Sequence, residues 1–408
     1  MQFFDKLEIR SSDERQSSIS QLLPEQIKKA QTLGSLEGID PSQIKGVDDL
    51  TQLPVFRKSE LIEKQKSNPP FGGLVGGRVE HFFQSPGPIY EPGKTTRDWW
   101  RCGRFINACG IGKKDIVQNC FSYHLTPAGM MFENGAHAVG AAVLPAGTGN
   151  TELQVQAASH LDVTAYAGTP DYLKTILEKA DEKKITLSKL TKAMVTGGPL
   201  FPAVAQNFKD RNIQARQCYG TADLGLVAYE AAENEGMVID EDVILEIVKP
   251  GTGKPVKDGE VGEVVVTVLN NYELPIIRFA TGDLSAIMDG NSITGRTNKR
   301  IKGWMGRADQ TTKVRGMFVQ PSQVNKILEN LKIDNVARMI ISRSNDKDEL
   351  LLKVESNLSN SSEIEAIKQK ISDEIKNVVN LRGTLEIVPL NSLPNDGKVI
   401  DDTRNFGE

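Results

Sequence analysis

Three short segments each set a small, flexible residue beside a carboxylate or a guanidinium: Cys218-Tyr219-Gly220-Thr221-Ala222-Asp223, Arg278-Phe279-Ala280-Thr281-Gly282-Asp283 and Gly306-Arg307-Ala308-Asp309. In the first, Gln217–Tyr219 reads as the end of a strand, and Gly220 permits a sharp turn because it has no Cβ. A tyrosine ring there can lie on a purine face, the Thr221 hydroxyl can reach a phosphate, and Asp223 suits a hard cation such as magnesium. The plainer reading is a strand–turn with Asp223 as a helix cap. In the second segment Asp283 follows a glycine turn and can accept both hydroxyls of a ribose. In the third, Arg307 offers a permanent charge in a planar fork that matches phosphate or ribose oxygens. A fourth stretch, Leu393–Val399, puts Lys398 on a flexible turn; among 49 lysines and arginines, such a residue taken alone is a solvated charge. Read together, the segments supply what a nucleotide and its metal require.

The elements that would position them are those of an α/β protein. From residue 79 short apolar runs alternate with helical stretches: Val79–Phe83, a helix over Thr95–Cys109, Ala141–Leu144, a helix over Asn150–His160, Val163–Tyr166, a helix from Pro170, Lys192–Thr196, and a helix after Pro199. Repeated strand–helix units predict a largely parallel sheet covered on both faces, with ligands at its strand ends. Between 224 and 303 the texture turns β-rich (Val243–Val248, Gly262–Leu269, Ile276–Phe279), which predicts a small barrel or antiparallel subdomain within a large domain of residues 1–308. Residues 309–408 read as a small α+β domain of the split βαβ kind. Residues 1–75 look helical and loop-rich, with a helix opening at Lys58 or Ser59.

Composition narrows the field. At 408 residues the chain exceeds one ordinary core, and 39% hydrophobic with 25% charged residues is the balance of a packed globular protein. A net charge of -4 argues against nucleic acid as a partner. No apolar run approaches the ~20 residues of a membrane helix, so no membrane association is expected, and the Met1–Asp5 start lacks the features of a signal peptide. Cys102, Cys109, Cys120 and Cys218 show no metal or disulfide spacing, and a reducing, cytoplasmic setting is the expectation.

The order of the motifs resembles the AMP-forming adenylating enzymes, the acyl-CoA synthetase superfamily, and specifically the phenylacetate–coenzyme A ligase branch, from about Phe82 to Arg404. The family's Tyr-Gly-x-Thr/Ser-Glu is here Tyr219–Asp223, with an acid one methylene shorter. Asn150–Gln154 resembles the branch's own Gly-x-Thr-x-x-Gln helix start. The resemblance implies ATP, AMP, magnesium and coenzyme A as ligands, a carboxylic acid of phenylacetate type as substrate, and room for a homodimer. It implies that Gly198 borders the adenine, that Tyr219, Gly220, Asp283 and Arg307 hold the nucleotide, and that Thr221 and Asp223 act at the phosphates. Asp309 would be the hinge about which the small domain moves, and Lys398 the lysine delivered to the α-phosphate. Tyr123 and the small residues near Gly168 would enclose the acyl group.

One part departs from the family. Its phosphate loop is rich in Ser, Thr and Gly and ends in Lys-Pro, whereas this chain has Gln84-Ser85-Pro86-Gly87-Pro88-Ile89-Tyr90-Glu91-Pro92-Gly93-Lys94-Thr95. Pro86, Pro88 and Pro92 have no N–H for a phosphate, and Glu91 repels one unless a metal lies between. Gly93-Lys94-Thr95 resembles the end of a Walker A loop, but five residues rather than four separate it from Gly87. Two further readings therefore stay open: a homologue that binds AMP or an acyl-adenylate without efficient ATP activation, and an enzyme that loads a carrier protein.

Overall fold

The structure, a computed structural model, describes residues 3–96, 98–331, 333, 335–344, 347–356, 361–394 and 398–404. The chain divides into two compact units, Met1–Met305 and Gly306–Glu408.

In the first unit, Ala142–Leu144, Ile116–Asn119, Ala165–Gly168, Lys192–Val195 and Gln214–Thr221 lie side by side as parallel strands of a nine-stranded sheet. Every residue of Ala165–Gly168 is buried, as a strand covered on both faces requires. The intervening helices are Ala128–Val139, Thr151–His160, Pro170–Glu182 and Pro202–Asp210. Pro170–Glu182 shows why: Thr169 caps it, Pro170 fits its first turn, and Leu173, Ile176, Leu177 and Ala180 recur at the helical spacing that buries one face. After Ile116–Asn119 the chain runs outward to Ala142–Leu144 and then returns to the other side at Ala165–Gly168. That reversal opens a crevice at the carboxyl ends of the strands. Gly225–Tyr229, Met237–Ile239, Arg300–Ile301 and Ile287–Met288 continue the sheet in antiparallel fashion.

A second sheet, in the order Phe56–Arg57, Phe279–Ser285, Gly262–Val268, Val243–Val248, forms the β-rich part. Two expectations change here. The strand expected at Ile276–Phe279 begins instead at Phe279 and continues to Ser285, so Asp283 sits inside a strand. The register against Gly262–Val268 shifts between Glu263 and Val265, and Gly282 takes φ +76°. Gly282 thus makes a bulge in place of a chain-reversing turn, and a bulge re-aims the next side chain. The long helix expected over Thr95–Cys109 is reduced to Gly103–Ala108. Asp98 and Arg101 adopt φ of 57° and 63°, and the Asp98 carboxylate accepts the Gly103 N–H at 3.0 Å, so the helix starts only there.

The amino-terminal segment is bound to this unit by charges. Arg296 Nε donates to Glu8 Oε1 at 2.7 Å and the Tyr229 hydroxyl donates to the same oxygen at 3.0 Å, with the Arg296 and Glu8 side chains fully buried. The helix Ser12–Thr32 follows, its start fixed by reciprocal bonds between Ser11 and Glu14.

The second unit has a four-stranded sheet in the order Thr384–Val388, Lys347–Glu355, Ala337–Ser344, Ile400–Asp402, with the helices Pro321–Asn330 and Ser361–Val379. Val324, Ile327, Ile371 and Ile375 join Met339, Leu350 and Leu352 in one core. Neither the edge strand Ile400–Asp402 nor the hairpin Thr312–Val314/Met317–Val319 is apparent in the sequence, since each strand has only three residues. No helix among the described residues is long and apolar enough to cross a membrane.

Breaking one side of a fully buried ion pair costs about 3–5 kcal/mol because the other charge is stranded. Arg296→Met should lose stability on that scale in urea unfolding, and adding Glu8→Gln should restore part of it. Purely additive losses would show that the two residues act independently.

Candidate active site

Four of the singled-out residues lie at one edge of the large sheet, each at or just beyond the carboxyl end of a parallel strand. Tyr123 follows Ile116–Asn119, Gly168 ends Ala165–Gly168, Gly198 follows Lys192–Val195, and Thr221 ends Gln214–Thr221. Backbone bonds hold the row together: Cys120 N–H donates to Ala167 O at 2.7 Å and Thr196 N–H to Gly168 O at 3.2 Å. The Thr196 hydroxyl donates to Cys218 O at 2.8 Å, which fixes the start of the Gly197-Gly198 turn, where Gly197 has φ +75°.

The strand around Tyr219 does not stop where the sequence suggests. It continues to Thr221 and pairs with Gly225–Tyr229, with a register irregularity between Tyr219 and Gly220. Gly220 is required by close approach and not by a left-handed turn: a Cβ there would meet Gly225 O at 2.7 Å. The Thr221 hydroxyl accepts the Leu224 N–H at 3.2 Å and closes the Thr221–Leu224 turn. The Tyr219 ring is buried among Leu224, Val227, Val264 and Phe279. Its hydroxyl donates to Asp283 Oδ2 at 2.8 Å and lies 3.0 Å from the Thr281 hydroxyl. Trp304 Nε1–H donates to Asp283 Oδ1 at 3.1 Å. Asp283 is therefore aimed from two sides. Trp304 was not foreseen; nothing in its spacing ties it to Asp283. Arg278, which opens the second motif, is a structural anchor: buried at φ 48°, it grips Glu246 at 2.9 and 3.0 Å and caps the carbonyls of Leu53 and Gly253.

Asp223 meets a cation of the chain itself. Lys58 Nζ donates to Asp223 Oδ2 at 2.8 Å, while Oδ1 has no hydrogen-bond partner among the described residues. Lys58 is the first residue of the helix Lys58–Ser67. A cation opposes the helix dipole at that end, and this misfit is the one sequence signal for its role. The strands His81–Ser85 and Ile89–Gly93 form a hairpin, Ser85 facing Ile89 and Phe83 facing Glu91, so the altered loop is a two-stranded turn. Glu91 points inward. It is 3% exposed, neither of its carboxylate oxygens has a hydrogen-bond partner among the described residues, and it lines one cavity with Asp223, Phe56, Leu61, Phe71 and Phe279. Burial first, then the Asp223 charge, raise the Glu91 carboxyl to about 7, with the Lys58 charge offsetting part of the rise. The unpaired carboxylate oxygen of Asp223 is a hard ligand, and it fits a hard divalent cation. Gly93-Lys94-Thr95 is no phosphate cradle: Lys94 pairs with Glu273 and lies over the Trp99 ring, and Thr95 N–H donates to Glu80.

Near the sheet's crevice, the half-buried Tyr123 accepts from Asn119 Nδ2 at 2.8 Å and donates to Glu133 Oε2 at 2.7 Å. Burial and then Glu133 push its hydroxyl well above the usual range. Gly168 lies so close to Tyr166 that a Cβ would fall 2.1 Å from its hydroxyl.

In the second unit Arg307 and Asp309 pair with each other in a two-point fork, at 2.9 and 2.8 Å, and Asp309 also accepts the Thr311 N–H. Burial pushes the Asp309 carboxyl up, but the bonds and charge of Arg307 outweigh it and hold the group below its usual range. Lys398 is half exposed and pairs with Asp401 Oδ1 at 3.1 Å, immediately before the edge strand. Asn395, Asp396 and Gly397 of its expected turn lie outside the described residues.

Residues 99–270 match the family model of the AMP-binding enzymes, and residues 316–403 match that of their C-terminal domain, together well over half of the chain. The chain is 28% identical to the phenylacetate–coenzyme A ligase of Escherichia coli over 98% of both proteins. It is 29% identical to that of Thermus thermophilus, over 78% of this chain and 74% of the relative. Among solved structures, 2-hydroxyisobutyryl-CoA ligase in its postadenylation state with R3-HIB-AMP overlays with a TM-score of 0.68 at 25% identity, across 97% of this chain and 91% of that one. The same ligase with 2-HIB-AMP and CoA gives 0.76 at 24% identity, across 98% and 92%, a likeness of fold. The chain belongs to the AMP-forming adenylating enzymes, in the branch that holds the phenylacetate–coenzyme A ligases. It is accordingly an acid–thiol ligase of the AMP-forming class.

The Glu91 carboxyl has a higher pKa folded than its ordinary 4.5, so the folded chain holds the extra proton. That stabilisation is complete below about pH 4.5 and is lost as pH rises through about 7, a change of ~3 kcal/mol for a shift of this size. Metal-free urea unfolding across this window should show the decline in the wild type and a flatter profile in Glu91→Gln. Parallel profiles would contradict the burial argument.

Proposed function

We propose that the protein activates a carboxylic acid of arylacetic type with ATP and passes the acyl group to coenzyme A. A carboxylate oxygen attacks the α-phosphorus and pyrophosphate leaves, giving the acyl-adenylate; the thiolate sulfur then attacks the acyl carbon and AMP leaves. The observation that carries the reading is Asp283, aimed by Tyr219 and Trp304 at the carboxyl-end edge of the large sheet, where it suits the ribose hydroxyls. Gly198 and Gly220 would border the base and Thr221 would reach a phosphate oxygen, while Tyr123 and Gly168, at the sheet's crevice, would border the acyl group. A magnesium ion held through Asp223 would offset phosphate charge. Activation of the carboxylate is chiefly a matter of placement and charge, because the attacking oxygen is already anionic. In this reading Lys398 supplies positive charge at the α-phosphate during adenylation, Arg307 contacts the nucleotide, and the second unit rotates about Asp309 so that the thiol can enter. The relatives' names support phenylacetate as the model acid.

A second reading rests on the hairpin. Pro86, Pro88 and Pro92 give no N–H to a phosphate, and the Lys58 ammonium rests on Asp223, which suits a protein that keeps AMP or an acyl-adenylate without efficient ATP turnover.

Lys398→Ala separates the half-reactions. Removing one charge-stabilising donor costs roughly a hundredfold or more, so adenylate formation should fall by that factor, while thioester formation from supplied acyl-adenylate should stay within about threefold. Equal loss in both would remove Lys398 from the adenylation step.

A further inference from the structure

The cavity between the helix Lys58–Ser67 and the hairpin has two carboxyl groups in its lining, and only that of Asp223 has so far been given a role. Its walls are apolar: Phe56, Leu61, Phe71, Leu74, Ile276 and Phe279. The lining also includes Glu91 and Asp223, with three carboxyl oxygens (Glu91 Oε1 and Oε2, Asp223 Oδ1) that are buried and without a hydrogen-bond partner among the described residues. Both groups are fixed, at 3% and 7% exposure, whereas the Lys58 side chain on the far oxygen of Asp223 is 36% exposed. One ammonium faces two carboxyl groups, so the chain supplies a cationic partner to Asp223 alone and leaves the Glu91 oxygens without one.

We propose that Glu91 is a second ligand, with Asp223, for a divalent cation, so that the proline-rich hairpin presents a metal to the phosphates where it has no backbone N–H to give. The link to phosphates rests on the adenylating function; cation binding does not. Magnesium is commonly held by one or two carboxylates, with waters and substrate phosphates completing six oxygens, and the pair provides that number. The hairpin register sets Glu91 opposite Phe83 with Pro92 beside it, so its backbone has little freedom to turn the carboxylate outward. Lys58 then acts as the resident counter-ion: its ammonium neutralises Asp223 and, on a half-exposed arm, withdraws when a metal enters.

The test is titration of the nucleotide-free, full-length protein with manganese(II) alone, followed by electron paramagnetic resonance, with AMP affinity measured separately in metal-free buffer. Losing even an indirect partner of a metal ligand costs 10–100-fold in affinity, so Glu91→Gln should weaken manganese binding by about tenfold or more. Lys58→Met, which removes the competing cation, should tighten it. A cooperative urea unfolding transition retained in both variants shows that the fold is intact. No bound manganese in the wild type, or an affinity unchanged in Glu91→Gln, overturns the proposal. Should Glu91→Gln fail to fold, Lys58→Met decides, since unchanged or weaker binding there is equally fatal. Failure of the nucleotide reading appears separately, as a wild-type protein that binds manganese and not AMP.

Discussion

The hydrogen bond from the Tyr219 hydroxyl to Asp283 ties the carboxyl-end edge of the nine-stranded sheet to the bulged strand of the four-stranded one. Each partner depends on a local exception to regular structure. Gly220 lets the Tyr219 strand approach Gly225 too closely for any side chain, and Gly282 makes the bulge that turns Asp283 toward the tyrosine. A one-residue slip in either strand would move these groups to the opposite face. The Arg278–Glu246 fork and the bonds of Arg278 to Leu53 and Gly253 hold the bulged strand at its origin. The Tyr219–Asp283 geometry is therefore a property of two sheets meeting, and of neither alone.

Charges in the first unit fall into two kinds. Arg104 with Asp240, Arg296 with Glu8, and Arg278 with Glu246 are buried ion pairs at hydrogen-bond distance, and Arg104 also reaches the partly exposed Asp5 and Asp242. They join distant segments, including the amino-terminal residues, and their value lies in fixing which segments meet. Glu91 and Asp223 are the contrast: equally buried, but with oxygens left unmatched beside a cavity.

Much of this was legible in the sequence, and the rest failed for identifiable reasons. The parallel strand–helix units could be read because their apolar runs are short and separated by Gly and Pro, and the order of Tyr219–Asp223, Asp283, Arg307 and Asp309 pointed to the family. The Thr95–Cys109 helix was overestimated because composition does not show that Asp98 and Arg101 take left-handed backbone angles. Asp283 was placed on a turn, since Gly-Asp in sequence cannot distinguish a turn from a bulge. Trp304 gives no signal because its partner is 21 residues away, and Lys58 shows only as a cation misplaced at a helix start, its partner 165 residues away. The proline-rich segment was recognised as altered, but that Glu91 faces inward depends on hairpin register, which no spacing rule supplied.

The most direct measurement is carboxylate-dependent exchange of labelled pyrophosphate into ATP, across arylacetic, benzoic and short aliphatic acids, with magnesium present. The account predicts exchange with arylacetic acids and none when the acid is omitted. Absence of exchange with every acid, in a protein that still binds AMP, would contradict it and leave the adenylate-binding reading in its place.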